Sequence, residues 1–458
     1  MNPLQYYRFK GLWQKTGWLS PAFVGADTQG IVQYISATPP DQPVAVEAIQ
    51  GFALPGFQNT HSHAFQYAMA GLAETHPSNM YDDFWTWREV MYECALLFDP
   101  DEYESVATML YAEMLRHGYT HVAEFHYLHH DKNGKPYNNL AEMGERLVAA
   151  AATAGINITL VPVFYQKGGF NTEPQPRQRR FISKTVDDYL QLLDDSAHAV
   201  ASHSHAHLAF SVHSLRAADP DQLIQTVANG PATIPFHIHV AEQKKEVADC
   251  LHAWGSRPMQ WVLDNLPVND RFHLVHSTHL DDEEVKRLAA TKASVVLCPS
   301  TEGNLGDGFF RMKEFVQSGG RWSIGTDSHI GLNPLEELRM IDYRQRLVTN
   351  LRNPLGENAA SLLVNESIAT GRKAMGLSWN NHFAVGQPLD ALVLDAHAPL
   401  LQGSLPTLLP AIVYSSDPSH YYGTLVNGQW KVRAQQHPLQ EKLEKEFAKT
   451  VNALRTKA

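Results

Sequence analysis

The sequence predicts an α/β fold, a (β/α)8 TIM barrel joined to a small β-sandwich domain built from both chain termini. Three observations point there. Eight short β-rich runs alternate with longer stretches of helical periodicity through the middle of the chain. Most of those runs end in polar residues that a core would not accept, as the carboxyl ends of barrel strands do when they carry a site. Both ends of the chain instead hold short strands with turn residues. The length of 458 residues suits this division, since a barrel takes about 250 and leaves enough for a second lobe. The expected limits are 1–55 for the first part of the small domain, 56–385 for the barrel, and 386–458 for the second part with a tail helix.

In chain order, the β-rich runs are FALPGFQNTHSH (52–63), YTHVAEFHY (119–127), NITLVPVFYQ (157–166) and HLAFSVHSLR (207–216), then PFHIHVAEQ (235–243), RFHLVHSTH (271–279), ASVVLCPSTE (293–302) and RWSIGTDSH (321–329). Helical periodicity fills 100–117, 140–154, 219–228, 244–265 and 281–290 between them. LSPAFVGADTQGIVQYI near the start, and LDALVLDA and GTLVNGQWKVR near the end, read as strands of the small domain, with Asn427-Gly428 as a hairpin turn. QEKLEKEFAKTVNALRTKA, from Leu439 onward, reads as a charged amphipathic helix serving as a solvated cap.

Composition narrows the function classes. A formal net charge of −11 and a pI near 6.1 oppose a polyanion partner, so no nucleic acid is expected. No apolar run reaches the ~20 residues of a membrane helix. MNPLQYYRFKGLWQKTGW lacks the pattern of a secretory signal, which gives a cytoplasmic expectation. Cys94, Cys250 and Cys298 are too far apart for a Cys-x-x-Cys clip and read as small buried residues. The anomaly is 24 histidines against 37 Lys plus Arg, which directs attention to a metal.

His61 and His63 share one strand face and can point at one spot above the barrel mouth. His239 ends the fifth run, and Asp327 ends the eighth after the small residues Gly325 and Thr326. Strands one and eight are neighbours in a closed barrel, so three imidazoles and a carboxylate can converge, a donor set suited to zinc with room for water. Other histidines read as structural: His203, His205 and His207 precede strand four at the opposite face, His237 lies a layer deeper, and His129 and His130 form a loop pair. Glu242, three residues past His239, can carry protons, and His276 can orient or deprotonate a water. Strand four, FSVHSLR, offers no lysine to bridge a second metal, and Lys167 reads as a loop residue beside Gly168 and Gly169, so one metal is expected.

HSH, HVAE, the strand-six histidine and TDS resemble the amidohydrolase superfamily, whose members hydrolyse C–N and related bonds with one or two metals. More narrowly, LPGFQNTHSHAFQYAMAGLAE, FWTWRE, GYTHVAEFHYLHH, SVHSLRA, HIHVAEQKKEV, LCPSTEGNLGDG and GTDSH resemble the formimidoylglutamate deiminase family of histidine degradation. That resemblance implies conversion of N-formimidoyl-L-glutamate to N-formyl-L-glutamate and ammonia by a homodimer with a single zinc, iron or manganese being the other cations such a site accepts. It carries the metal ligands onto His61, His63, His239 and Asp327, and the catalytic roles onto Glu242, His276 and Asp327. Substrate binding falls on Gln66, Arg88, Tyr127, His213 and Arg216. Two arginines suit a small-molecule dicarboxylate amidine. Tyr67, where a basic residue is common, and Gly303, where alanine is usual, depart from the family pattern. Two rivals stand beside this reading: a deaminase of guanine, cytosine or triazine rings, which would share the metal site but have no use for paired arginines, and a catalytically silent assembly barrel, which would have lost ligands.

Overall fold

Eight parallel strands form the barrel: Phe57–Ser62, Tyr119–His126, Asn157–Phe164, Phe210–Ser214, Phe236–Val240, Phe272–His276, Ser294–Leu297 and Arg321–Ile324. The computed structural model describes residues 4–41, 43–74, 82–379 and 381–457. Residues 1–3 of the amino-terminal stretch and Ala458 of the tail, both covered by the expectations above, lie outside them. Each strand pairs in parallel with the next from the first to the eighth. Past the end of strand eight the ring is drawn shut, because the N–H groups of Thr326 and Asp327 both donate to the His61 carbonyl at 3.1 and 2.9 Å. Gly325 makes this approach possible, since a Cβ there would lie 2.8 Å from the backbone nitrogen and Cβ of His61.

Strands such as FHIHV are buried along their whole length, as expected where helices cover the outside and side chains fill the inside. Val275, Val296 and Cys298 form a separate buried cluster within the ring. The larger core lies between strands and helices, and a second one, with Phe9, Leu12, Val24, Leu389 and Val393, fills the small sandwich.

The runs drawn from sequence are longer than the strands. Run 52–63 divides at Gly56: Gly51–Pro55 pairs antiparallel with Ala391–Asp395 in the six-stranded terminal sheet, and the barrel begins at Phe57. A Cβ on Gly56 would strike the Thr120 side chain at 2.3 Å. Run 207–216 divides at Ala209 into Ala206–Leu208 and Phe210–Ser214. Stretch 244–265 is two helices, Lys244–Trp254 and Pro258–Asn265, parted by Gly255 in the left-handed region at φ +67°. The sandwich's other sheet has four strands, all from the first 48 residues. Leu405–Ser415 is a helix that the strand-like reading of the carboxyl-terminal segment did not include. The tail helix Gln440–Lys457 buries Leu443, Val451 and Leu454, and Thr450 bonds Ser105 at 3.0 Å on the barrel helix Pro100–Arg116.

Candidate active site

Four side chains meet at the carboxyl end of the barrel. His61 sits on strand one and His63 just past its end, His239 near the end of strand five, and Asp327 just past strand eight. His63 donates its Nδ1–H to the Phe125 carbonyl at 2.7 Å, and His239 donates its own to the His213 carbonyl at 2.8 Å. Those bonds leave a lone pair on Nε2 of each ring. His61 Nε2 lies 2.9 Å from His239 Nε2, and the buried His61 Nδ1 has no hydrogen-bond partner. Asp327 Oδ1 is 3.3 Å from His63 Nε2 and 3.6 Å from His61 Nε2. Ring nitrogens of the three histidines lie within 4.8 Å of one another. Burial and the neighbouring rings hold all three imidazoles below their usual range, His63 at about 3, so they are neutral at pH 7. Neutral lone pairs and a carboxylate facing one point repel unless a cation lies between them, and this N/O set suits a divalent transition metal.

The second group is built around His276, at the end of strand six. Its Nε2 lies 3.7 Å from both Asp327 Oδ2 and Glu242 Oε1, and its Nδ1 is 3.4 Å from Glu302 Oε1. Burial alone would lower its pKa, but those three carboxylates outweigh it and raise it to about 10. Asp327 moves the other way: burial, with Glu242 and Glu302 nearby, pushes its carboxyl up to about 7 against the pull of His276. Backbone strain concentrates at the same rim, where Ala241, His276, Ser277 and Asp327 all have positive φ of 51–65°.

The helix Phe84–Ala95 roofs this chemistry. Asp83 caps it by accepting from the N–H groups of Trp85 and Thr86. Phe84, Trp87, Arg88, Met91 and Tyr92, spaced i, i+3, i+4, i+7 and i+8, put one helical face on the cavity. Arg88 lies over Trp85 and Tyr92, with its carbon centre 4.5 and 5.3 Å from the ring centroids. Its Nε is buried without a hydrogen-bond partner, and among the described residues no carboxylate lies within 4.0 Å of it. Arg216 is already engaged: Nη2 donates to Glu242 Oε2 at 3.2 Å, and Nε is 3.9 Å from Glu246 Oε1.

Gln66, Arg88, Tyr127, His213 and Arg216 line one cavity together with His63, His239, Glu242, His276 and Asp327; His61 lies beneath it. Gln66 Nε2 donates to the Tyr127 hydroxyl at 3.1 Å, and the His213 ring rests 4.6 Å from the Tyr165 ring. Among the described residues, the histidines read as structural stay out of the cavity. His205 bonds the Val148 carbonyl, His237 the Ala374 carbonyl, and His129 and His130 bond the Val163 and Ile182 carbonyls. The last two lie in the loop after strand two, as expected, with His129 buried. Lys167 pairs with Glu173 and Asp219.

Sequence reasoning missed the supporting acids. Glu302, on the short helix Pro299–Asn304 after strand seven, also pairs with Arg344 at 2.6 Å. Glu124, on strand two, accepts from Ser62 Oγ, Ala64 N–H and the Tyr111 hydroxyl, bracketing the His61 and His63 segment. The legible signal was a carboxylate inside a strand buried on both faces, which needs donors nearby.

Residues 52–431 match the model of the amidohydrolase family. The chain belongs to that family. This amidohydrolase is a metal-dependent hydrolase of C–N bonds by that membership. It is 43% identical over 415 residues to formimidoylglutamate deiminase of Pseudomonas aeruginosa, covering 89% of this chain and 90% of that protein. A 5-methylthioadenosine/S-adenosylhomocysteine deaminase of Natronomonas pharaonis is 25% identical over 382 residues, 82% of this chain and 80% of its own. Among solved structures, an amidohydrolase from Brucella melitensis matches with a TM-score of 0.90 at 37% identity, covering 98% of this chain and 99% of that one. A zinc-bound adenosine deaminase from Xanthomonas campestris matches with a TM-score of 0.83, 99% of each chain and 20% identity, which bears on the fold alone. Among the described residues no helix is long and apolar enough to cross a membrane.

Proposed function

We propose that this amidohydrolase converts N-formimidoyl-L-glutamate and water to N-formyl-L-glutamate and ammonia, with one zinc held by His61, His63, His239 and Asp327. The observation that carries the substrate reading is Arg88: a guanidinium with a buried, unpartnered Nε, no carboxylate beside it, and a place in the same cavity as the reacting cluster. Such a cation calls for an anionic group on the ligand. The 43% identity to formimidoylglutamate deiminase supports the same choice. Zinc at this donor set supplies Lewis acidity and brings the pKa of a coordinated water toward neutrality.

The chain's own residues do the rest. Arg88 takes one substrate carboxylate and Gln66, Tyr127 and His213 shape the channel beside it. Arg216 takes the other carboxylate in competition with Glu242, so substrate binding loosens the 3.2 Å pair and frees Glu242 to move protons. His276, protonated at neutral pH, donates to the attacking oxygen and holds it toward the formimidoyl carbon, which becomes tetrahedral as its imino nitrogen takes up the displaced electron pair. Asp327 accepts one proton of the attacking water and Glu242 takes up the other, and both are passed to the former imino nitrogen, which leaves as ammonia. A homodimer in the cytoplasm belongs to the same reading and is tested by light scattering and by fractionation of source cells.

The deciding experiment is product analysis with zinc-reconstituted protein. Ammonia with formylglutamate supports the proposal. Formamide with glutamate would show cleavage of the other C–N bond, and turnover of guanine or cytosine in place of the linear amidine would favour the ring deaminase.

A further inference from the structure

A second group of possible ligands stands against the first. His276, Cys298 and Asp327 each offer an atom within 4.8 Å of the others, and all three side chains are buried. Cys298 follows strand seven and belongs to the small buried cluster inside the ring. Nothing in the proposed reaction uses its thiol, whereas Cys94 and Cys250 belong to the large core outside the ring. Glu242 and Glu302 also face His276, and each is already matched to one arginine, Arg216 and Arg344. His276 and Asp327 line the cavity, so a small ion entering it reaches this spot.

We propose that His276, Cys298 and Asp327 form an inhibitory site for a second, thiophilic divalent cation, such as Cd2+ or excess Zn2+, lying beside the primary metal with Asp327 shared between the two. A thiolate among N and O donors selects for soft cations over Mg2+ or Ca2+. Occupation removes two groups from the reaction at once, because His276 can no longer donate to the reacting oxygen and Asp327 can no longer accept a proton. The enzyme would then work with one cation and fail with two. The inference rests on the first four residues holding the primary metal, but its binding test needs no substrate and is independent of which substrate is correct.

The test uses full-length protein stripped with chelator and reloaded with one equivalent of Zn2+, in a His198→Ala background that removes the separate surface group Asp194, Asp195 and His198. Cd2+ is added while bound zinc and cadmium and the ultraviolet thiolate-to-cadmium charge-transfer band are followed. The expected result is one further cation per chain with zinc retained, the band rising in step, and turnover lost over the same range. Cys298→Ser should keep its one-metal turnover, lose the band, and need at least about tenfold more Cd2+ for the same inhibition, as one ligand of three is weakened. Cys298→Ala is the second variant should serine disturb the packing. Inhibition of both variants at the wild-type concentration, or a second cation bound by wild type without the band, overturns the site.

Discussion

Arg88 and Arg216 are both cations beside one cavity, yet they differ in what already neutralises them. Arg216 has Glu242 and Glu246 within 4.0 Å, whereas Arg88 has aromatic faces and no acid among the described residues. A charge-assisted hydrogen bond is worth about 1.5–3 kcal/mol, or roughly 10- to 150-fold in binding. Arg88→Met should therefore raise KM by about that factor and leave kcat nearly unchanged; equal loss in kcat would place Arg88 in the chemistry instead. Glu242→Gln should do the reverse, lowering kcat by about 10²–10⁴-fold for a missing proton carrier, with far less change in KM. Steady-state kinetics on formimidoylglutamate checks both. At this scale much could be read from sequence, because the ligand and catalytic candidates sit at strand ends where a barrel places them. Arg88 needed the resemblance: nothing in WTWRE by itself says that a helix will lay this residue over the cavity.

Elements set how firmly those residues are held. The Glu302 carboxylate accepts from Cys298 N–H at 2.9 Å, at the head of its own short helix, and also meets His276 Nδ1 and Arg344. It never touches the cavity, so it is a positioning residue that keeps the ring oriented and protonated. Glu302→Gln removes a charge that holds His276 at about 10, so the alkaline limb of kcat/KM should move to lower pH, while Glu302→Asp should restore part of the shift. An unchanged limb with uniformly lower activity would mean a packing defect only. Glu124 supports the first strand, and its titration bears on stability. Burial raises its carboxyl from 4.5 to about 7 despite three donors, so the folded state holds a proton the unfolded chain has released between those values. That contribution is complete below pH 4.5 and is lost as pH rises to 7. Urea unfolding of metal-free protein should accordingly show wild type losing stability relative to Glu124→Gln between pH 5 and pH 8; an equal gap at both would refute it. Strand existence was legible from eight apolar runs, but strand ends were not. Gly56 and Gly255 divide elements through a close approach to Thr120 and a left-handed turn, and neither is visible in periodicity.

At the scale of the whole molecule, the metal cluster draws on strands one, five and eight, so it can exist only when the ring is closed. The unfolded chain has no counterpart of this site, and a cation bound only by the folded state adds stability as RT ln(1 + [L]/Kd). The closing contacts gather on one seam: the N–H groups of Thr326 and Asp327 donate to the His61 carbonyl, the His63 N–H donates to the Asp327 carbonyl, and the Asn59 and Thr60 side chains bond Thr326 and Ile324, with Gly325 admitting the approach. Ring closure and metal affinity are thus one property measured two ways. Chelation should abolish turnover and lower the unfolding temperature, and stoichiometric zinc should restore both, with the midpoint rising as free zinc is increased. Gly325→Ala isolates the linkage. A methyl group 2.8 Å from His61 forces strands one and eight apart, at the roughly 1–3 kcal/mol typical of overpacking. The variant should fold with reduced stability even without metal, and it should also gain less stability per unit of zinc than wild type does, because three of the four ligands, His61, His63 and Asp327, flank the opened seam. Calorimetry across a zinc series checks this. Equal zinc-dependent gains in wild type and Gly325→Ala would show that the cluster tolerates an open seam, and that closure and metal binding are separable.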